Sequence, residues 1–139
     1  MENKMTKLTA AFFDSIGLKY GINGDNSEII ETGLGGFDNI SSVRVIFFFD
    51  DNEHSVHLIA PQIVKVPESK KANIYRLINE INQKYRWVKF YMNSEGNVMI
   101  DADCILDMET CGQECLEIMQ RTADIANDAY PILMREIWN

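Results

Sequence analysis

Three cysteines, two histidines and two spaced pairs of aspartates are the residues of this chain best suited to chemistry. Cys111 and Cys115 are four apart, which on a helix places both thiols on one face, and Cys104 lies shortly before them. With His54 or His57 they could be assembled into a four-ligand zinc site, but the spacing is not that of a zinc finger or ribbon. Cys104 falls at a core-facing position of a strand, so the thiols read as small buried hydrophobes and no metal is expected. His54 sits at a turn and His57 in a strand, and their spacing puts them on opposite faces, a poor ligand pair and a poor acid/base pair. Both are read as solvated or edge histidines. Asp101 and Asp103 share a strand face, where two carboxylates could chelate a hard cation or divide acid and base roles. The competing reading is a solvated face that discourages edge pairing. Asp124 and Asp128 share a helix face and read as a solvated helix side.

Other familiar constellations are missing. Gly33 to Gly36 is not followed by Lys-Ser/Thr, so it is no phosphate-binding loop, and it reads as a loop between strands. Asp50–Asp51–Asn52–Glu53 lacks the calcium-loop pattern, and Ser15–Ile16–Gly17 lacks the flanking glycine of a nucleophile elbow. No catalytic residue and no cofactor-binding or metal-binding residue is assigned.

The elements that must position these groups follow from periodicity. A first helix is expected over about Thr6 to Ile16, where Leu8, Phe12 and Ile16 recur at four-residue spacing and Gly17 can stop it. Ser27 to Thr32 reads as a short strand, and Val43 to Phe49 as a strong one, with large apolar groups on both faces that call for at least partial cover on each. Ser55 to Val66 reads as a further strand, broken or bent near Pro61. A second helix is expected from Pro67 to Ser69 onward, with Ser69 as its cap and Ile74, Ile78, Ile81 and Tyr85 on one face. The period then changes to two. Val88, Phe90 and Met92 point one way, Trp87, Lys89 and Tyr91 the other; the turn at Ser94 to Asn97 returns the chain. In the returning strand Val98, Ile100, Ala102, Cys104 and Leu106 share one face, and Met99, Asp101 and Asp103 the other. Thr110 with Gln113 suggests a capping box for the last helix, whose seam runs Leu116, Met119, Ala123, Ala126, Tyr130, Leu133, Ile137. Pro131 should kink or break it near Asn127 to Tyr130. The seam reads as a helix packed on its own sheet, with a contact to another subunit as the alternative.

This order, α-β-β-β-α-β-β-α, defines an α+β fold: an antiparallel sheet of about five strands flanked by helices, in a single domain over residues 1–139. Trp87, Tyr91, Met99, Asp101 and Asp103 gather on the strand face opposite the core and form the candidate interaction surface.

Charge narrows the function classes. The 139 residues carry a net charge of −8, and no basic stripe is available to displace counterions from nucleic-acid phosphates or to dock on an anionic membrane. No apolar run is long enough to span a bilayer and no secretory signal is visible at the N-terminus, so a cytoplasmic protein with reduced thiols is expected.

The run Asn73 to Leu106, NIYRLINEINQKYRWVKFYMNSEGNVMIDADCIL, resembles the middle of the YbjN family of small bacterial proteins. The similar features are the Asn-rich helix end at Asn79 and Asn82, the aromatic strand Trp87 to Tyr91, the Gly96 turn and the acidic return strand. The segment Asp124 to Trp138 is similar to that family's C-terminal helix. The resemblance implies a fold like that of class I type III secretion chaperones, which often dimerise. It also implies regulation of sensory transduction through chaperone-like protein binding rather than catalysis, with a homodimer and an unidentified protein partner. It supplies no catalytic residues. The alternative is a small-molecule or metal-dependent enzyme using the paired carboxylates.

Overall fold

The computed structural model describes residues 2–139. Asn3 opens helix α1 (Lys4–Ser15), its side-chain oxygen accepting from the backbone N–H of Met5 and Thr6. Strands β1 (Gly21–Asn23), β2 (Ile29–Gly35), β3 (Ser42–Phe49) and β4 (Ser55–Lys65) follow. A 3-10 turn (Glu68–Lys70) leads into α2 (Lys71–Lys84), then β5 (Lys89–Met92), β6 (Asn97–Ile105) and the long α3 (Cys111–Trp138). The expected order therefore stands, in a six-stranded sheet, all neighbours antiparallel, ordered β1-β2-β3-β4-β6-β5. The strand beyond the expected five is β1, three exposed residues with no apolar alternation to reveal it.

All three helices pack together on one side of the sheet. α3 crosses β3, β4 and β6 and is flanked by α1 and α2. The core lies between: Val43, Val45, Phe47 and Phe49 of β3, Val56 and Leu58 of β4, and Val98, Ile100 and Ala102 of β6 meet Phe13, Ile74, Met119, Ala126 and Leu133. Gly112 matters to this packing, because a Cβ there would stand 2.4 Å from the Cβ of Phe12. The seam of α3 thus serves its own sheet and its own neighbouring helices.

Several local expectations are corrected. Gly33 to Gly35 is not loop but the end of β2, paired with Arg44 to Ser42. A Cβ on Gly33 would lie 2.8 Å from the Val43 carbonyl oxygen, so glycine is there for close backbone approach. Ser69 does not cap α2, which starts two residues later behind the 3-10 turn without a side-chain cap bond. Thr110 precedes α3 but bonds to Glu114 (3.2 Å) rather than into a box with Gln113. The bend near Pro61 is present as a register shift between Ala60 and Val64, with Gln62 in the left-handed region at φ 53°.

Pro131 does not break α3, which stays helical from Cys111 to Trp138. The proline leaves the carbonyl of Asn127 without its usual N–H partner. Asn39 fills the vacancy, its Nδ2 donating to that carbonyl at 3.1 Å. The Asn127 side chain returns the contact, accepting from the backbone N–H of Asn39 (2.8 Å) and Ile40 (3.1 Å). The polar groups freed by the proline dock the β2–β3 connection onto the helix.

Candidate functional site

With the helices gathered on one side, the other face of the sheet carries no described element above it. Alternation brings Ile29 and Glu31 of β2, Arg44, Ile46 and Phe48 of β3, and His57 and Ile59 of β4 onto this face. Met99, Asp101 and Asp103 of β6 and Tyr91 of β5 join them. Ile46, Phe48, Ile59, Tyr91 and Met99 are half-buried, shielded by one another and by neighbouring long side chains. The expected cover on the second face of β3 is therefore lateral only, from within the sheet.

Register assembles a polar centre on this face. His57 stands opposite Asp103, and Ile59 opposite Asp101. The imidazole of His57 lies between the two carboxylates, Nε2 at 3.2 Å from Asp101 Oδ2 and Nδ1 at 2.8 Å from Asp103 Oδ1. A neutral imidazole donates from one nitrogen only, so both contacts become hydrogen bonds only in the imidazolium form. Phe48 packs its ring 6.4 Å from that of His57. Asp101 is buried, and its Oδ1 has no hydrogen-bond partner among the described residues, whereas Asp103 is exposed. Burial, and after it the charge of Asp101, holds the Tyr91 phenol above its ordinary pKa. His57 is thus no isolated solvated histidine. Sequence reasoning missed it because cross-strand register, which selects its partners, has no local signature.

Of the five residues expected to share a surface, Tyr91, Met99, Asp101 and Asp103 do lie on the open face. Trp87 does not. β5 begins only at Lys89, and Trp87 sits in a bend before it with φ 78°, a left-handed conformation rare for a bulky residue. Its indole, more than half exposed, has the guanidinium groups of Arg86 and Arg121 over it, 5.2 and 4.7 Å from the ring centre. The strand alternation read through Trp87 fails because the bend precedes the ladder.

The remaining chemistry-bearing residues stay apart or buried. Cys104, Cys111 and Cys115 are free thiols. Burial pushes the Cys115 thiol far up, its Sγ 3.9 Å from Thr9 Oγ1. Burial, then Glu114 and Glu117, push Cys104 up as well, which disfavours the nucleophilic thiolate. Among the described residues no group of three or more His, Cys, Asp or Glu is arranged to hold a metal ion. Asp124 and Asp128 are exposed on α3, and Asp128 accepts a 3.1 Å hydrogen bond from the Tyr85 hydroxyl. No described helix is long and apolar enough to cross a membrane.

An antiparallel sheet with its helices on one face gives this chain a fold similar to that of type III secretion chaperones. The Yersinia pestis chaperone SycH, solved in complex with a stable fragment of YscM2, matches with TM-score 0.54 at 13% identity over 88% of this chain and 96% of that one. The ExsC–ExsE complex provides a match with TM-score 0.59 at 22% identity, covering 96% and 97% of the two chains. YbjN from E. coli, described as "a putative transcription regulator", matches with TM-score 0.61 at 12% identity over 91% and 92%. The chain belongs to the YbjN family, described as "Putative bacterial sensory transduction regulator", whose pattern covers residues 10–133. A comparison with curated proteins found no match.

Proposed function

We propose that this protein is a non-enzymatic, cytoplasmic binding module that acts as a homodimer and holds a segment of a partner protein on the open face of its sheet. The observation that carries the reading is the uncovered face itself. Ile46, Phe48, Ile59, Tyr91 and Met99 are only half-buried there, and polar groups among them are in contact with one another, His57 with Asp101 and Asp103, Arg44 with Glu31 at 2.7 Å. An apolar patch whose polar side chains are mostly bonded to one another keeps those bonds when a partner covers it. Support also comes from two similar folds having been solved in complex with another protein, ExsC with ExsE and SycH with a YscM2 fragment. The flat setting of the His57 cluster favours recognition over catalysis. The cavity beside Trp87 is lined by Asp103 but not by His57 or Asp101, so the two carboxylates do not converge on one enclosed volume.

The test is capture from native lysate with three forms of the chain: unaltered, Phe48→Glu on the open face, and Tyr75→Glu on the exposed side of α2. A stoichiometric partner kept by the unaltered and Tyr75→Glu forms, and lost by Phe48→Glu, is the expected result. Equal capture by all three, or no stoichiometric partner at all, counts against the reading. Light scattering across a dilution series tests the dimer, which a monomer mass at every concentration excludes.

A further inference from the structure

The sheet edge formed by β5 and β6 is closed at one end and open at the other. At the closed end Asn82 of α2 acts as a substitute strand: its Oδ1 accepts from Phe90 N–H (2.8 Å) and its Nδ2 donates to Phe90 C=O (3.1 Å). The outward backbone groups of Phe90 are thereby satisfied. The β5–β6 ladder stops at Lys89 opposite Asp101, while β6 runs on to Ile105. The phase of the ladder is set by two bonds. Leu106 N–H donates to His54 C=O on the β4 side, and Asn93 N–H to Asn97 C=O on the β5 side. Even-numbered residues of β6 thus turn their backbone groups toward β4 and odd-numbered residues away from it. The N–H and C=O of Asp103 and Ile105 point out of the edge with no described strand beside them, and the Ile105 carbonyl accepts only from the Cys104 thiol, Sγ at 3.7 Å.

Next to this free edge, between β6 and the first half of α3, lies a cavity of about 410 Å³. Trp87, Ile105 (84% exposed) and Ile118 give it an apolar lining, and Asp103, Glu114 and Glu117 supply carboxylates. Its lining cation, Arg121, lies 3.1 Å from Glu117 and 4.7 Å from the centre of the Trp87 ring, and Arg86 lies against the same ring. The lining thus sets three carboxylates against one guanidinium, on a chain of net charge −8.

We propose that the Asp103–Ile105 edge of β6 takes up one extended segment of a partner polypeptide in which apolar residues alternate with lysine or arginine. The backbone groups of Asp103 and the N–H of Ile105, which lack a strand partner, select an extended chain, the exposed indole and Ile105 favour apolar side chains, and the carboxylates favour basic ones. The inference rests on the reading that this protein binds polypeptides, and it assigns them a contact separate from the centre of the open face.

The test uses the full chain with Trp138→Phe, which leaves Trp87 as its only tryptophan, and the probe acetyl-Lys-Val-Lys-Val-Lys-Val-amide. Saturable change in indole emission is expected, together with slowed amide exchange at Asp103 and Ile105. The Glu-Val counterpart should not bind. Methylating alternate peptide nitrogens should abolish binding in one of the two phases and spare it in the other. Neutralising the carboxylates with Glu114→Gln and Glu117→Gln should weaken binding about tenfold and reduce its salt dependence. Ile105→Pro removes an outward N–H while keeping the β4 ladder, and should abolish binding with an unchanged far-ultraviolet spectrum. If that variant fails to fold, the exchange data on the unaltered edge decide. No binding of the Lys-Val probe, equal binding of the Glu-Val peptide, or indifference to both methylation phases overturns the proposal. Protection of Asp103 and Ile105 by rising protein concentration alone also overturns it, because the edge then belongs to a second copy. Should these tests fail while Phe48→Glu still releases a captured partner, only this inference falls. Should the probe bind while Phe48→Glu changes nothing, the open-face reading falls and the edge remains.

Discussion

Phe47 and Phe48 are neighbours in β3 and serve opposite sides of the same sheet. Phe47 is wholly buried, 6.1 Å from the ring of Phe13 on α1, while Phe48 is half-buried beside His57 with no helix above it. The covered face is closed by aliphatic and aromatic side chains from three helices. The open face mixes similar apolar residues with a histidine, two aspartates and an Arg44–Glu31 pair. One face therefore holds the fold together, while the other retains apolar area that intramolecular packing leaves in reach of a partner.

The largest expected difference between the faces is in stability. Phe47→Ala should cost about 3–5 kcal/mol through lost transfer energy and a cavity that the packed helices cannot fill. Phe48→Ala should cost only about 1 kcal/mol, since solvent can occupy the space. Urea unfolding of the two variants measures both, and equal costs would mean that the open face is covered in solution.

A smaller effect probes the polar centre of the open face. His57→Ala leaves the buried carboxylate of Asp101 without its partner, at an expected cost of about 1–3 kcal/mol. Asp101→Asn in the same chain should cost less than the sum of the two single changes. Additivity in that double-mutant cycle would mean that the histidine and aspartate do not interact energetically.

The smallest effect lies on the helix side, where Tyr85 bonds to Asp128. Burial first, then that hydrogen bond and the nearby carboxylate charge, raise the Tyr85 phenol from 10.0 to about 12. A raised pKa in the folded state means that the neutral phenol is favoured there. The resulting stabilisation is fully present below pH 10 and is lost as pH climbs through about 12. Melting temperatures followed between these limits should fall less steeply for Tyr85→Phe. Some slope should persist, because Tyr20 and Tyr91 are also raised, each first by burial and then by a neighbouring aspartate.

Much of the architecture was legible along the chain because it rests on local periodicity. The 3.6-residue recurrence of Ile74, Ile78 and Ile81, and the two-residue alternation of Val98, Ile100 and Ala102, each mark one buried face, and these residues are buried together. The same alternation put Tyr91, Met99, Asp101 and Asp103 on the face away from the helices. What failed locally depended on distant groups. Trp87 fits the alternation but lies outside the ladder. Gly33 looks like loop until β3 is laid against it. The effect of Pro131 on α3 depends on Asn39, nearly a hundred positions earlier, which bonds the freed Asn127 carbonyl.

The residues alone determined an α+β chain with alternating strands, a long final helix, a net charge of −8, and a resemblance to the family to which it belongs. These properties are carried by side-chain periodicity and composition, which are written in order along the sequence. Only the tertiary structure decided that all three helices share one side of the sheet, that His57 bridges Asp101 and Asp103, and that Asn82 bonds the outer backbone of β5 at Phe90 while β6 runs on past the end of β5 at Asp103 and Ile105. Those outcomes depend on strand register and on contacts between distant segments, and a one-residue change in register would redirect every one of them.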